Sequence, residues 1–344
     1  MTTLPDIRRT AVIGAGSWGT ALAKLLGDKG ERVFLWGRDP EHIARLKTER
    51  QNRKYLPGAL LPENVEPVAD LAAAVREAQC VVMVVPSHGL REIFAQLLTV
   101  LQDNALVVSA VKGIENDTLQ TMTQVMQDVL TRNGHQRPVH LGVLSGPSFA
   151  VEVAKGQPTA VTVAFAEKEA AASVQRLFST AFFRCYTSSD VIGLELSAAV
   201  KNVVAIAAGI GDGLGFGLNT RAALITRGLA EISRLGVRLG AHPLTFAGLG
   251  GLGDLVLTCT GDLSRNRTVG LKLGQGKTLA QALSEMTMVA EGVKTTKSCY
   301  NLARQHGVEM PILEQTYQVL YEHKDCRLAV QELFQRSLKE ELPV

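Results

Sequence analysis

"TAVIGAGSWGTALAKLLGDKG", residues 10–30, decides how the N-terminal half folds. Residues 10–13 are small or β-branched and read as a strand running into a glycine turn. Gly14, Gly16 and Gly19 follow in the spacing G-x-G-x-x-G, and apolar residues then recur at helical spacing as far as Gly30. The glycine triplet alone also occurs in packing turns. Placed between a strand and a helix, it is a dinucleotide-binding fingerprint. Gly14 permits the turn, Gly16 lets the backbone approach a pyrophosphate, and Gly19 lets helix and strand pack closely. The helix start presents its amides to the phosphate charge. Ser17 and Trp18 stand at that start and are expected to touch the cofactor.

The same alternation continues outward. "RVFLWG" (32–37), "CVVMVVP" (80–86) and "ALVVSAV" (105–111) read as strands, as do "VHLGVLSGP" (139–147), "TAVTVAF" (159–165) and "FFRCYTS" (182–188). Near-continuous apolar runs suit strands of a parallel sheet covered on both faces. After about residue 189 the strand pattern stops, and helices are predicted over 190–208, 220–239, 264–273, 289–305 and 311–336. "GIGDGLGFGLN" (209–219) predicts a tight turn with close backbone approach. The fold class is therefore α/β: an N-terminal Rossmann-like doubly wound sheet (1–189), then an all-α C-terminal substrate-binding domain (190–344).

Composition narrows the function classes. The 344 residues are 46% hydrophobic and 20% charged, with a net charge of +3 and no basic tract, which argues against nucleic acid as a partner. No apolar signal core precedes residue 10, and no uncharged run is long enough to span a bilayer, so no integral membrane segment is expected. Cys80, Cys185, Cys259, Cys299 and Cys326 form no C-x-x-C pair. Reduced thiols in a cytoplasmic protein fit them better than a disulfide framework or a metal site.

The second strand ends "LWGRDP". Arg38 suits the 2′-phosphate of NADP, while Asp39 could serve the ribose hydroxyl of NAD, so NADP is expected with NAD possible. In "AAVKNVVAIAAG" (198–209), the helical neighbours of Lys201 at three and four residues are Ser197, Ala198, Val204 and Ala205. A lysine on such a face either snorkels to water or is partnered and used. Near another cation its pKa falls, which suits a proton donor to a ketone being reduced. Lys112 follows the strand 105–111, and "SGPSFA" (145–150), with Gly146 and Ser148, follows the strand 139–144; both lie where α/β sheets bind ligands. In "GLGGLGDLVLTCTGDLSRNRTVG" (248–270), Ser264 is a candidate N-cap for a helix opening with Arg265 and Asn266. That is a phosphate cradle or a solvated helix start.

Taken together, Gly14–Gly19, "SAVKGIE", "SGPSFAVEV", "ELSAAVKNVVAIAAGIGDGL", "GLGDLVLTCTGDLSRNR" and "VAEGVKT" resemble the bacterial-type NAD(P)-dependent glycerol-3-phosphate dehydrogenases. The resemblance implies NAD(P)H-dependent reduction of dihydroxyacetone phosphate to glycerol 3-phosphate, feeding phospholipid synthesis, in a cytoplasmic homodimer. It makes Lys201 the proton donor and acceptor, with Lys112 touching substrate and cofactor. It places Gly146, Ser148, Asp254, Ser264, Arg265 and Asn266 around the substrate, with Thr258 orienting Lys201 or the substrate hydroxyl. Ala150, Arg265, Val289 and Glu291 would add cofactor contacts to Ser17, Trp18 and Arg38. The competing readings are another two-domain dehydrogenase, of 3-hydroxyacid or 6-phosphogluconate type, and a non-catalytic NADP-binding sensor.

Overall fold

The computed structural model describes residues 4–286, 290–338 and 340–341. Eight strands form one sheet: β1 (Arg9–Ile13), β2 (Arg32–Trp36), β3 (Val65–Val68), β4 (Cys80–Met83), β5 (Ala105–Ser109), β6 (Val139–Ser145), β7 (Thr159–Phe165) and β8 (Phe183–Ser188). Their order is β3-β2-β1-β4-β5-β6-β7-β8, so the chain reverses direction across the sheet between β1 and β4. That switch point is where open α/β sheets bind their ligands.

Both faces of the sheet are covered, for the reason the apolar runs foretold. Val12, Val33, Leu35, Cys80, Val82, Leu106 and Val108 point into one core with Leu22, Leu25 and Leu26 of the helix Ser17–Asp28. Their chain neighbours Ala11, Ile13, Phe34, Trp36, Val81, Met83 and Val107 point into the other, against Phe94 and Val125. A period of two with both phases apolar leaves no face for water.

Four local readings are corrected. Strand β3, "VEPV", escaped the sequence reading because it is short and carries Glu66 and Pro67; it pairs only with β2, and an edge tolerates proline. Strands β6 and β7 run antiparallel, with Gly142 opposite Phe165, whose ring occupies the space a side chain at 142 would need. The turn expected over 209–219 begins later, at Leu214, with Gly215 at φ 83°. The helix Val191–Gly213 first runs through Gly209, Gly211 and Gly213, and a Cβ at Gly209 would come within 2.0 Å of the Arg267 carbonyl oxygen. Close backbone approach was foreseen; its cause is helix packing. The span 311–336 likewise divides into Pro311–Tyr321 and Cys326–Phe334, with His323 at φ 56° between them and Asp325 capping the second helix.

Among the described residues no strand follows Ser188, and the rest of the chain is helical. Val191–Gly213 is long and apolar enough to cross a membrane, but 83% of its apolar window is buried inside the protein, where it forms the axis of the helical half. Leu196, Ala199, Val200 and Val203 on this helix pack with Leu255, Leu302 and Leu313.

Candidate active site

The glycine turn follows β1 at the switch point. Gly14 has φ +129°, a conformation open to glycine, and a Cβ there would lie 2.5 Å from the Val84 carbonyl oxygen. A Cβ at Gly19 would fall 1.9 Å from the Gly14 carbonyl oxygen, whereas Gly16 faces open space. Gly16 is the N-cap of the helix Ser17–Asp28 and has no side chain to satisfy the first-turn amides. Trp18 packs with Ala150 beside Leu56, and its buried Nε1 has no hydrogen-bond partner among the described residues. Open amides, room at Gly16 and an orphaned donor fit the pyrophosphate end of a dinucleotide.

One residue that braces this turn was missed from the sequence. Asn52, wholly buried, donates through its amide to the Ala15 carbonyl at 3.0 Å and to Thr20 Oγ1 at 2.7 Å. It lies in "RQNRKY", whose polarity reads as solvated surface, so no sequence signal marks it. At the end of β2, Asp39 caps the helix Pro40–Glu49, its Oδ1 accepting from the backbone N–H groups of Glu41 and His42. The His42 bond foremost holds the Asp39 carboxyl below its ordinary range. Arg38, next to it, is exposed and has no carboxylate within 4.0 Å among the described residues.

The second cluster joins residues far apart in the chain. Lys201 is 4% exposed and Asp254 1%. Lys201 Nζ donates to Asp254 Oδ1 at 2.5 Å and to Thr258 Oγ1 at 2.7 Å; Lys112 Nζ donates to Asp254 Oδ2 at 2.8 Å. Thr258 is turned to accept because its own hydroxyl donates to the Asp254 carbonyl at 2.6 Å. Ser145, at the end of β6, donates to Asp254 Oδ2 at 3.4 Å. Asp254 and Thr258 share a face of the helix Asp254–Thr260, one turn apart. A wide helical turn, Leu249–Gly253, leads into it, and its glycines let it pass under Leu194 and Phe246.

Burial pulls the Lys201 ammonium down to about 7; Asp254 opposes that fall and Lys112 adds to it. Burial pushes the Asp254 carboxyl up, yet the two lysines hold it below the ordinary carboxylate range. Two cations thus share one anion.

The other expected residues make contacts of their own. Gly146 follows β6, where a Cβ would meet the Val161 Cα at 2.8 Å, and Ser148 Oγ donates to the Gly146 carbonyl at 2.9 Å. Ser264 caps the helix Arg265–Gly274, accepting from the Arg267 N–H at 3.3 Å. Asn266 Oδ1 accepts from the Gly292 N–H at 3.0 Å, tying that helix to Glu291–Gln305. Ser87, just after β4, donates to Glu291 Oε2 at 2.5 Å, and Glu291 is the carboxylate that faces the exposed Arg265. Arg38 stands apart, two residues beyond β2, and Val289 lies outside the described residues.

Residues 9–171 match the model of the NAD-dependent glycerol-3-phosphate dehydrogenase N-terminus, and residues 190–331 that of its C-terminus. A glycerol-3-phosphate dehydrogenase [NAD(P)+] of Desulfotalea psychrophila is 60% identical over 331 residues, 96% of this chain and 98% of that one. The protein of the same name from Citrifermentans bemidjiense is 57% identical over 333 residues, 97% and 98% of the two chains. Among solved structures, the glycerol-3-phosphate dehydrogenase of Coxiella burnetii superposes with a TM-score of 0.92 at 39% identity, over 96% of this chain and all of that one. A ketopantoate reductase of Ralstonia eutropha, at 16% identity and a TM-score of 0.58, shares the fold.

Proposed function

The chain belongs to the NAD-dependent glycerol-3-phosphate dehydrogenase family, and on that premise we propose which of its residues carry the reduction of dihydroxyacetone phosphate to glycerol 3-phosphate. It is an oxidoreductase that uses NADP or NAD, and the reaction is reversible. The cofactor supplies a hydride to C2 of the ketone. The chain must then hold the substrate, meet the charge that develops on the C2 oxygen and deliver a proton to it.

Lys201 is the proton donor. An ammonium has three N–H donors. Asp254 Oδ1 and Thr258 Oγ1 take two of them, leaving one for the substrate oxygen. In the oxidation direction the neutral amine accepts the hydroxyl proton. Asp254 keeps Lys201 and Lys112 in register from its two oxygens, and Lys112 contributes a fixed positive charge beside the substrate. Ser264, Arg265 and Asn266 at a capped helix start, with Gly146 and Ser148, form the pocket for the phosphate and the triose. Gly14, Gly16, Ser17, Trp18 and Gly19 hold the dinucleotide, aided by Lys112, Ala150, Arg265, Val289 and Glu291.

Arg38 selects NADP. Asp39, the alternative hydroxyl partner, is engaged as a helix cap, while Arg38, two residues beyond β2, has no carboxylate partner among the described residues. Arg38→Ala is expected to weaken NADPH binding about tenfold with little change for NADH, read by fluorescence titration. The chain divides into a dinucleotide-binding domain, 1–189, and a helical substrate-binding domain, 190–344, each lending residues to both ligands, and the protein works as a cytoplasmic homodimer, which light scattering in solution tests.

One observation carries this reading: a buried lysine, titrating near neutrality, paired with a carboxylate that a second lysine shares. Lys201→Met is expected to lower kcat for dihydroxyacetone phosphate reduction by about 100-fold or more while NADPH still binds. Turnover within threefold of the parent sinks the assignment.

A further inference from the structure

Glu195 is a buried carboxylate for which neither the fold nor the reaction described so far has a use. It lies on the helix Val191–Gly213, six residues before Lys201, and is 3% exposed. Both its oxygens reach across to the sheet-bearing half. Oε1 accepts from the Thr123 backbone N–H at 2.8 Å, and Oε2 accepts from the Thr123 hydroxyl at 2.5 Å. Thr123 sits in the first turn of the helix Met122–Arg132, where an amide has no partner within its own helix. A negative charge there is also favoured by the helix dipole.

The chain between Thr123 and Lys112 is short and doubles back on itself. Ile114 pairs with Thr121 in an antiparallel bridge, and the Glu115 N–H donates to the Gln120 carbonyl at 2.9 Å. Lys112 is two residues before one side of that bridge, and Thr123 two residues after the other. Ile114 is itself 2% exposed and packs among Leu196, Ala199 and Val200 of the Lys201 helix. From outside, Arg91 grips Glu115 at 2.8 Å and 2.9 Å. The loop that carries Lys112 is thus fastened to the helix that carries Lys201 at two points, and one of them is Glu195.

We infer that Glu195 is a positioning residue: by holding Thr123 it fixes the 112–123 loop against the Val191–Gly213 helix, and so sets Lys112 in place beside Asp254 and Lys201. This rests on the proposed roles of the two lysines. The charged groups facing Lys201 are Asp254 and Lys112, with the Cys259 thiol nearby on the Asp254 helix. Because Lys112 depresses the Lys201 ammonium, loosening its loop has a signature that a loss of packing lacks. The inflection of the pH–rate profile moves upward.

The test uses the full-length enzyme with Glu195→Ala and Glu195→Gln. In Glu195→Ala, KM for dihydroxyacetone phosphate is expected to rise about tenfold. The pH inflection of kcat should rise by roughly half a unit or more. NADPH affinity, measured separately by fluorescence, should stay within about twofold. Glutamine keeps an acceptor for the Thr123 N–H and can donate to its hydroxyl, so Glu195→Gln should return all three values close to the parent. A folded Glu195→Ala enzyme with unchanged KM and inflection overturns the inference, as does a glutamine variant no better than alanine. If Glu195→Ala fails to fold, Thr123→Ala, which keeps the backbone N–H, should show the same upward shift at smaller size, and no shift overturns it. Lys201→Met run in parallel separates the two ideas. If it abolishes turnover while the Glu195 and Thr123 variants change nothing, only the positioning role falls.

Discussion

The helical neighbours of Lys201 at three and four residues, Ser197, Ala198, Val204 and Ala205, carry no charge, and that local isolation is legible in the sequence alone. Its partners are not. Asp254 lies 53 positions away and Thr258 lies 57, and nothing in local periodicity joins positions so distant; only the family resemblance did. The structure supplies what the sequence lacked, namely that burial outweighs the carboxylate and brings the ammonium down to about 7. The sign of the pH dependence follows. Reduction needs the protonated form, so its kcat should be level below pH 7 and fall about tenfold per unit well above it. Oxidation of glycerol 3-phosphate needs the free amine and should rise over the same interval. Parallel profiles in the two directions would show that another group moves the proton.

At the scale of elements, the reading succeeded where a segment's pattern is set by its own burial. Strands covered on both faces read as apolar runs, and the turn after β1 read from its three glycines. It failed where a neighbour decides. Edge strand β3 answers only to β2, and Gly209 and Gly213 serve the facing helix rather than a turn. Asn52 is polar because it braces a turn 37 residues away, which no local rule reveals. The glycine turn yields a paired prediction. Gly16 has open space around it, so Gly16→Ala should leave the melting temperature unchanged and weaken NADPH about tenfold or more, by crowding the approach to the pyrophosphate. A methyl at Gly19 meets the Gly14 carbonyl oxygen, so Gly19→Ala should lower stability by about 2 kcal/mol as well as affinity. Calorimetry and fluorescence titration on the two variants distinguish a clash with ligand from a clash with backbone.

Across the whole molecule, the reactive group belongs to neither half alone. Lys112 comes from the loop after β5, while Lys201 and Asp254 come from two helices beyond residue 190, and Glu195, Ile114, Ser87 and Glu291 are among the residues that fasten the halves together. The proton affinity of Lys201 is therefore a property of assembly, and it can be moved in opposite directions from the two sides. Asp254 raises it, so Asp254→Asn should lower it and carry the reduction profile toward acid. At pH 7 such an enzyme would hold Lys201 mostly neutral, with kcat for reduction down by about 100-fold or more. Breaking a buried pair ordinarily costs about 3–5 kcal/mol; here the amine can release its proton, so the melting temperature should drop less than that cost implies. Lys112 lowers the affinity, so Lys112→Met should carry the inflection toward alkali while KM for dihydroxyacetone phosphate rises. Measuring kcat against pH for both variants decides the matter. Shifts of opposite sign are required if one carboxylate between two amines controls the proton, and shifts of the same sign rule that control out.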